Sequence, residues 1–316
     1  MKRNLMKIGS AILIMVLIVA LAACGGDDNG ETAANQGADT EETAPVSDVV
    51  IRVGSKDFTE SLIVAEIYAL ALEDAGFTVD RTGMNLASGI VHEAITSGEI
   101  DIYPEYTGTG LLTVLGMPLM TDPMEVYELV KAEYYERYDI TWLDFTTAHN
   151  GQGIAIRTDL AQELGIVTFS DLQPHAHTLR FVSTAEFLDR EDGLAAMVAE
   201  FGPFDWYSVD IMGGGARYEA LRTNAADVQV SFTTDGHLYN THYYTLLVED
   251  RVIWPPYNLI PIVRNDALDA NPGIADALNR LAPHFTTEAL LHLNSQVIVY
   301  GRDIEEVARE FFESVS

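Results

Sequence analysis

The sequence has 316 residues, of which 48% are hydrophobic and 21% are charged. This composition suits a globular protein large enough for two domains and excludes a disordered or collagen-like chain. The 48 acidic residues outnumber the 18 basic residues, which gives a formal net charge of −30. So acidic a chain is a poor partner for nucleic acids and for anionic membrane surfaces.

Residues 1–23 are typical of a signal peptide. Three of the first seven residues are basic, an apolar run over 8–21 follows, and small residues lead to Cys24. A basic end, a short apolar segment and small residues before the cleavage point direct export. The apolar run is too short and wrongly flanked for a transmembrane anchor, and a buried helix would not need the basic flank.

Cys24 is the only cysteine of the chain. Its position after three small or apolar residues resembles the bacterial lipobox, so we expect the mature protein to be a lipoprotein with Cys24 as the lipidated residue. No disulfide or thiol chemistry then remains for the folded part. The acidic segment 24–48 has no apolar periodicity, and its composition predicts a flexible tether.

Strands and helices alternate after the tether. Predicted strands cover 49–53, 78–82, 100–103, 179–183 and 259–263, and predicted helices cover the segment between Thr59 and Gly76, 89–97, 275–281, 287–293 and 304–313. This order predicts an α/β fold with a parallel-rich sheet and ligands at the strand ends. Thr59 is expected to cap the first helix, Gly76 to end it, and Pro104 to stop the third strand.

A weak internal repeat relates two parts of the chain. Residues 89–110 align without gaps on residues 215–236, so that Asp101 falls on Asp227. The offset of the repeat predicts two similar lobes, and chance similarity between two β-α units is the alternative.

The repeat and the element order together predict a two-lobed protein. Lobe 1 is expected to comprise 49–149 and 256–316, and lobe 2 to comprise 150–255. The chain then crosses between lobes near Asn150 and near Trp254. A cleft between lobes is a favoured place for a small-molecule site, and extended crossings can act as a hinge.

Polar and aromatic residues follow the predicted strands of both lobes. These cleft candidates are Lys56, Asp57, Tyr106, Thr107, Thr109, Gln152, Arg190, Phe232, Thr233, Asp235 and Tyr257. Aromatic faces attract a cation by about 0.5 to 2 kcal/mol per contact. Lys56 and Arg190 suit a carboxylate, to which Thr109 adds a hydrogen bond. The set predicts a zwitterionic ligand with a methylated ammonium, and the alternative is core packing for the rings and solvation for the bases.

Patterns for catalysis are missing from the sequence. The His175-Ala-His177 pair, with His237 and His242 further on, lacks the spacing of a zinc site. The glycines at 213–215 are not followed by the Lys-Ser or Lys-Thr of a phosphate loop, so they indicate a turn before a helix. We therefore expect no enzymatic activity, no cofactor and no metal.

Five segments carry a resemblance to a known family. GSKDFTE, EYTGTG, FLDREDGL, FTTDG and PPYNLIPIV resemble segments of the substrate-binding proteins of osmoprotectant ABC importers, the glycine betaine, choline and quaternary-ammonium family, in the family's order from residue 49 to the C-terminus. The resemblance implies a type II periplasmic-binding-protein-like fold. It also implies an extracytoplasmic, lipid-anchored monomer that captures a quaternary-ammonium solute and delivers it to separate permease and ATPase subunits.

The resemblance also implies a set of ligand-binding residues. In glycine betaine-binding members four tyrosines surround the ammonium, and a lysine, an arginine and a threonine hold the carboxylate. The matching positions are Lys56, Thr109 and Arg190 for the carboxylate, Tyr106 and Tyr257 for two tyrosines, and Phe232 and Gln152 for the other two. Phe232 keeps the ring without the hydroxyl, whereas Gln152 has no aromatic face.

The two departures bear on the choice of ligand. Because Lys56 and Arg190 are retained, we expect a carboxylated ligand such as glycine betaine, proline betaine or carnitine, in preference to choline. Gln152 keeps open a larger or more polar trimethylammonium compound, including a betaine of histidine. A surface lipoprotein without a transport function is the alternative from another class.

Overall fold

Ten strands of the described residues build two sheets. A computed structural model describes residues 50–190 and 192–316. The strands are β1 (Val50–Lys56), β2 (Thr78–Leu86), β3 (Ile102–Tyr106), β4 (Ile140–Trp142), β5 (Gln152–Arg157), β6 (Arg180–Ser183), β7 (Ser208–Ile211), β8 (Val228–Phe232), β9 (Tyr244–Leu246) and β10 (Leu259–Arg264).

Helices cover both sheets. They are α1 (Thr59–Asp74), α2 (Ser88–Ser97), α3 (Thr107–Thr109), α4 (Pro123–Tyr138), α5 (Thr158–Leu164), α6 (Phe169–Leu172), α7 (Ala185–Asp189), α8 (Leu194–Phe201), α9 (Gly215–Arg222), α10 (Asn265–Ala270), α11 (Gly273–Asn279), α12 (Thr287–Ile298) and α13 (Ile304–Val315). A π-helical turn follows α3 at Gly110–Val114, and 3-10 turns cover Gln173–Thr178, Gly236–Tyr239 and Ala282–His284.

The two sheets have equivalent strand orders. The sheet of lobe 1 runs β2-β1-β3-β10-β4, and the sheet of lobe 2 runs β7-β6-β8-β5-β9. In each sheet the first three strands are parallel, and the fourth, which follows a crossing from the other sheet, is antiparallel to its neighbours. The sheets are therefore mixed, with a parallel half as predicted. The shared order is that of a duplicated α/β lobe.

An arginine–aspartate pair occurs in both lobes, and its two aspartates, Asp101 and Asp227, are aligned by the sequence repeat. In lobe 1, Arg52 donates from Nε to Asp101 Oδ2 over 2.9 Å and from Nη2 to Oδ1 over 2.6 Å. In lobe 2, Arg180 makes the same two bonds to Asp227 over 2.8 and 2.7 Å. Each aspartate also accepts from the backbone N–H of its arginine, over 2.8 Å in lobe 1 and 2.9 Å in lobe 2. Each pair thereby fixes the central strand against its parallel neighbour.

Several predicted boundaries were wrong. β1 continues to Lys56 instead of ending at residue 53. Pro104 lies inside β3, where it stands directly opposite Pro261 of β10. A proline lacks only its own N–H, so the strand continues through the hydrogen bonds of its neighbours. Thr59 does not cap α1, because the capping position is Phe58 and no side chain bonds the helix end there.

The segment that follows β6 is helical in part. Its central residues form α7, and Thr184 caps this helix by accepting a hydrogen bond from the Phe187 N–H over 3.1 Å. Gly76 has a φ of +89°, so it supplies the left-handed residue that was expected just after α1.

Each lobe has a core on both faces of its sheet. In lobe 1, α1, α11, α12 and α13 supply apolar residues to one face, with Ile67 and Leu290 fully buried, and α2 and α4 supply them to the other. In lobe 2, α5, α6 and α8 pack on one face and α9 packs on the opposite face. The apolar stripes are buried inside each lobe, which leaves the strand ends to form the site.

Two chain segments connect the lobes. The first crossing (residues 143–151) leads from β4 to β5, and the second crossing (residues 247–258) leads from β9 to β10. They lie side by side, since His149 forms an antiparallel bridge with Asn258 and the Asn150 N–H donates to the Tyr257 carbonyl over 3.0 Å.

Other predictions concern residues outside the described part. The predicted signal peptide (1–23), Cys24 and the tether (24–48) all lie outside the described residues. Within residues 50–190 and 192–316, no helix has the length and apolar character needed to cross a membrane. In the same part of the chain, no group of three His, Cys, Asp or Glu side chains is placed to hold a metal ion.

Candidate ligand-binding site

Lys56 ends β1 in a buried ion pair. Its Nζ bonds Glu105 Oε1, and both side chains are almost fully buried. Glu105 also accepts from the Tyr103 hydroxyl over 2.8 Å and from the Tyr106 N–H over 2.7 Å. These bonds satisfy a carboxylate whose burial would otherwise be costly. The Lys56 ammonium is therefore neutralised by the protein itself, 5.1 Å from the centre of the Tyr106 ring.

Tyr106 ends β3, and only 4% of its surface is exposed. Its hydroxyl donates to Glu60 Oε1 over 2.7 Å, and its ring lies 6.0 Å from the ring of Phe58. Burial, with the Glu60 carboxylate beside it, raises the pKa of Tyr106 well above its ordinary value. The hydroxyl thus stays a hydrogen-bond donor, and the Tyr106 ring packs near the Phe58 ring.

The turn after Tyr106 is hydrogen-bonded to the second crossing. The Thr107 hydroxyl donates to the Pro256 carbonyl over 2.9 Å and accepts from the Asn258 N–H over 3.0 Å. A β carbon added to Gly108 would stand 2.7 Å from the Tyr257 ring. Only glycine permits this approach. Thr109, which ends α3, is half-buried at the same turn.

Arg190 and Tyr257 bring the two lobes together at the site. Arg190, with 43% of its side chain exposed, donates from Nε and Nη2 to Asp192 over 2.7 and 2.5 Å and from Nη1 to Glu186 over 2.8 Å. Burial raises the pKa of Tyr257 to about 12, Asp192 adds to this shift, and the nearby Arg190 guanidinium opposes it. Tyr257 therefore lies between Gly108 of lobe 1 and Arg190 of lobe 2.

Gln152 begins β5 and Phe232 ends β8, both in lobe 2. They are directly paired across β5 and β8. Gln152 Nε2 donates to the Asp192 carbonyl over 3.0 Å, and Trp254 Nε1 donates to the same oxygen over 2.6 Å. Phe232 is 50% exposed, whereas its counterpart in the repeat, Tyr106, is buried. Phe232 thus presents its ring at the surface of lobe 2.

Of the seven ligand-binding residues that the family resemblance implies, five form two groups. Lys56 and Tyr106 form a buried group in lobe 1, and Gln152, Arg190 and Phe232 form a more exposed group in lobe 2. Tyr257 contacts the Gly108 turn that follows the first group and lies near Arg190 of the second. Thr109 lies on that same turn.

Sequence reasoning missed the acidic partners of these residues. Glu60, Glu105 and Asp192 each bond a predicted site residue. All three lie in or beside the motifs GSKDFTE, EYTGTG and FLDREDGL. Their signal was a carboxylate adjacent to a predicted base or tyrosine, which is a frequent arrangement when a charge is buried.

Comparisons with known proteins agree with this architecture. A family model described as the substrate binding domain of ABC-type glycine betaine transport systems matches residues 49–314. The carnitine transport binding protein OpuCC of Listeria monocytogenes is 31% identical over 83% of this chain and 86% of its own length. The ergothioneine transport permease/ergothioneine binding protein EgtU of Helicobacter pylori is 28% identical over 83% of this chain and 47% of its length. A crystal structure of a glycine betaine/carnitine/choline ABC transporter protein, 25% identical, superposes with a TM-score of 0.79 over 85% of this chain and 98% of that one.

Proposed function

Because the chain belongs to the family of substrate-binding domains of ABC-type glycine betaine transport systems, we propose that it captures a carboxylated quaternary-ammonium solute between its two lobes. It is an extracytoplasmic substrate-binding protein whose partners are a small-molecule ligand and the permease of an ABC importer. The observation that carries the ligand proposal is the meeting of Tyr257 of the second crossing with Arg190 of lobe 2. Gln152, the strand partner of Phe232, bonds the carbonyl of Asp192, which pairs with Arg190.

The aromatic residues suit the ammonium end of such a ligand. Phe232 offers an exposed ring from lobe 2, and Tyr257 offers a partly buried ring from the second crossing. Tyr106, two residues before Gly108, offers a buried ring from lobe 1. A quaternary ammonium has no N–H to donate, so ring faces are its main source of attraction. Gln152 replaces a fourth ring by an amide, which adds a polar contact on the lobe 2 side.

The basic residues suit the carboxylate end, with Arg190 as the principal partner. Its planar fork matches a carboxylate, and its side chain is accessible. Lys56 is a weaker partner for the ligand carboxylate, because Glu105 already neutralises its ammonium. Thr109 adds a hydroxyl on the turn between them. A ligand carboxylate would share Arg190 with Asp192.

Gln152 favours a second candidate ligand within the same class. A relative named as an ergothioneine binding protein aligns with 83% of this chain. An amide at position 152 can bond a polar ring substituent that a tyrosine face cannot. A betaine derived from histidine is therefore the second candidate, and carnitine and glycine betaine remain the first.

The remaining features of the proposal concern location and assembly. The signal peptide over 1–23 and the lipobox resemblance at Cys24 support a lipid anchor on the outer side of the cell membrane, joined through the tether 24–48. The proposed lobes are 49–149 with 256–316 and 150–255, and the protein acts as a monomer without catalysis.

Titration calorimetry with the purified protein tests the function. The ligand panel is glycine betaine, proline betaine, carnitine, histidine betaine, choline and unmethylated amino acids. We expect heat with at least one betaine and none with the amino acids. Arg190→Ala and Tyr106→Ala should each weaken binding tenfold or more, about 1.4 kcal/mol. Arg251→Ala, an exposed arginine on lobe 2, is the control. A silent panel would refute the proposed function.

A further inference from the structure

Glu60 is a buried carboxylate to which three other side chains donate hydrogen bonds. It lies in the first turn of α1 and is 3% exposed. Its Oε1 accepts from the Tyr106 hydroxyl over 2.7 Å and from Asn150 Nδ2 over 2.9 Å. Its Oε2 accepts from Asn294 Nδ2 over 2.7 Å. The Thr234 side chain is a fourth neighbour, which acts to lower the pKa of the Glu60 carboxyl.

These four neighbours come from four different parts of the molecule. Tyr106 ends β3 at the candidate site, Asn150 lies in the first crossing, Asn294 lies in α12, and Thr234 follows β8 of lobe 2. Asn294 also donates to the Thr234 carbonyl over 2.8 Å. One carboxylate therefore joins a ligand-site tyrosine to a crossing and to the opposite lobe.

The contact between α12 and lobe 2 is tight at this point. A β carbon added to Gly236 would stand 2.6 Å from the carbonyl carbon of Asn294. Because α12 and the Gly236 turn are in such close contact, neither can shift along the other without moving Asn294. A movement of lobe 2 relative to α12 is thus transmitted to the Glu60 carboxylate.

A simpler role for Glu60 is to stabilise the N-terminus of α1. A carboxylate in the first turn interacts favourably with the helix dipole, by about 0.3 to 1 kcal/mol at an exposed position. Full burial adds a desolvation cost that an exposed carboxylate avoids. Burial raises the pKa of Glu60, even though its polar neighbours Thr234, Tyr106, Asn294 and Asn150 act to lower it. The dipole alone does not account for a carboxylate placed here.

We propose that Glu60 is a positioning residue that couples the Tyr106 ring to the junction of the two lobes. The proposal rests on the proposed function, because it requires a ligand that binds against Tyr106 between the lobes. Contact with the ligand orients Tyr106, whose hydroxyl orients Glu60. The second oxygen of Glu60 then orients Asn294, which holds Thr234 of lobe 2.

Glu60→Gln tests the coupling while preserving the shape of the side chain. An amide at position 60 replaces one acceptor oxygen by an NH2 group, which cannot accept from Asn294 or from Asn150. Glu66→Gln is the matched control, because Glu66 is also a buried acid of α1 (5% exposed) but pairs with Arg81, away from the crossings. Wild type and both variants are titrated with the betaine panel, ligand release is timed by stopped flow, and lobe closure is followed as a ligand-dependent fall in radius of gyration by X-ray scattering.

We expect Glu60→Gln to weaken betaine binding tenfold or more, to accelerate release, and to reduce the change in radius of gyration at saturating ligand. Glu66→Gln should match wild type in all three measurements. Equal affinity, release and compaction in the two variants overturns the coupling and leaves the proposed function intact. A wild-type protein that binds none of the panel overturns the proposed function and the coupling together.

A double-mutant cycle tests the same proposal if Glu60→Gln does not fold. Tyr106→Phe keeps the ring and removes the hydroxyl, and Asn294→Leu removes the amide at nearly constant volume. If Glu60 joins the two residues, the change in betaine affinity of the double variant should differ from the product of the single changes by at least threefold. Independent, multiplicative effects overturn the coupling.

Discussion

The Tyr257 ring packs directly against the backbone of Gly108. A β carbon at position 108 would stand 2.7 Å from Cδ1 and Cε1 of Tyr257 and 2.8 Å from the Pro256 carbonyl. Real contacts of a β carbon are essentially never shorter than 3.0 Å. The turn that follows β3 and the second crossing therefore fit together only when residue 108 has no side chain, and the position of Tyr257 depends on that fit.

Gly108→Ala should displace Tyr257 and weaken ligand binding. A methyl group at 108 meets backbone and ring atoms, so the turn, the ring or the crossing must shift. We expect betaine affinity to fall tenfold or more in calorimetry, with a destabilisation of about 1 to 3 kcal/mol from overpacking in chemical denaturation.

Gly89→Ala is the control for the glycine substitution. Gly89 lies in α2, and a β carbon there meets nothing within 4 Å. The change should leave affinity unaltered and stabilise the helix by about 0.5 to 1 kcal/mol. Equal ligand affinity in Gly108→Ala and Gly89→Ala would contradict the dependence of the site on the Gly108 contact.

Asp192→Asn should change the preference between carboxylated and uncharged-tail ligands. Hydrogen bonds from Arg190 hold the pKa of Asp192 below its usual range, so its carboxylate is ionised at neutral pH and occupies the Arg190 fork. Removing that charge frees the fork for a ligand carboxylate and removes an anion that attracts choline. We expect the ratio of carnitine affinity to choline affinity to rise about tenfold in parallel titrations.

Glu186→Gln is the matched control for Asp192→Asn. Glu186 bonds the same guanidinium but is 73% exposed, and an ion pair so exposed contributes little. The ratio of affinities should change less than twofold in this variant. A ratio that is unchanged or lowered in Asp192→Asn would exclude Arg190 as the partner of the ligand carboxylate.

The repeat shows how much of the fold the sequence could predict. Alternating apolar periodicity gave the element order, and the alignment of Asp101 with Asp227 predicted two similar lobes. The structure has two lobes with equivalent strand orders, and Arg52 and Arg180 make equivalent bonds in them. The end of β3 was not predictable, because the strand continues past Pro104 through the hydrogen bonds of its neighbours to β10, a strand far away in sequence.

The candidate residues of the site were predicted from the sequence, whereas their acidic partners were not. Motif positions predicted Lys56 and Arg190 as bases near the cleft. Their pairing with Glu105 and Asp192 depends on the packing of strand ends and helix turns. A sequence pattern names the side chains near a cleft but not which charges neutralise one another, since that is set by distances across elements.

Trp254 should report ligand binding by its fluorescence. Its indole N–H donates to the Asp192 carbonyl, which also accepts from Gln152. A ligand at Gln152 changes the surroundings of Trp254, so Trp254→Phe should abolish the ligand-dependent change in emission. Trp206→Phe, which removes a ring stacked on Phe181 in the lobe 2 core, should retain it. A signal that survives in Trp254→Phe and disappears in Trp206→Phe would contradict this location.

The Asp227 carboxylate should stabilise lobe 2 in a pH-dependent way. Burial acts to raise its pKa, but the hydrogen bonds from Arg180 and the charges of Arg180 and Arg157 outweigh burial and hold the pKa below its ordinary value. A carboxyl whose folded pKa is lowered contributes stability that is present above its unfolded pKa, about 3.9 for aspartate, and is lost as pH falls through the folded value.

Asp227→Asn should therefore lower the free energy of unfolding at pH 7 by about 1.5 to 3 kcal/mol, the range for a hydrogen bond to a charged group. The difference from wild type should be constant from pH 7 to about pH 5 and shrink below pH 4, as the wild-type carboxylate becomes protonated. Urea denaturation at stepped pH measures both curves. Asp269→Asn, at an exposed position of α10, is the control and should stay within about 0.5 kcal/mol of wild type throughout. A difference between Asp227→Asn and wild type that grows as the pH falls would show that the Arg180–Asp227 bonds do not lower this pKa.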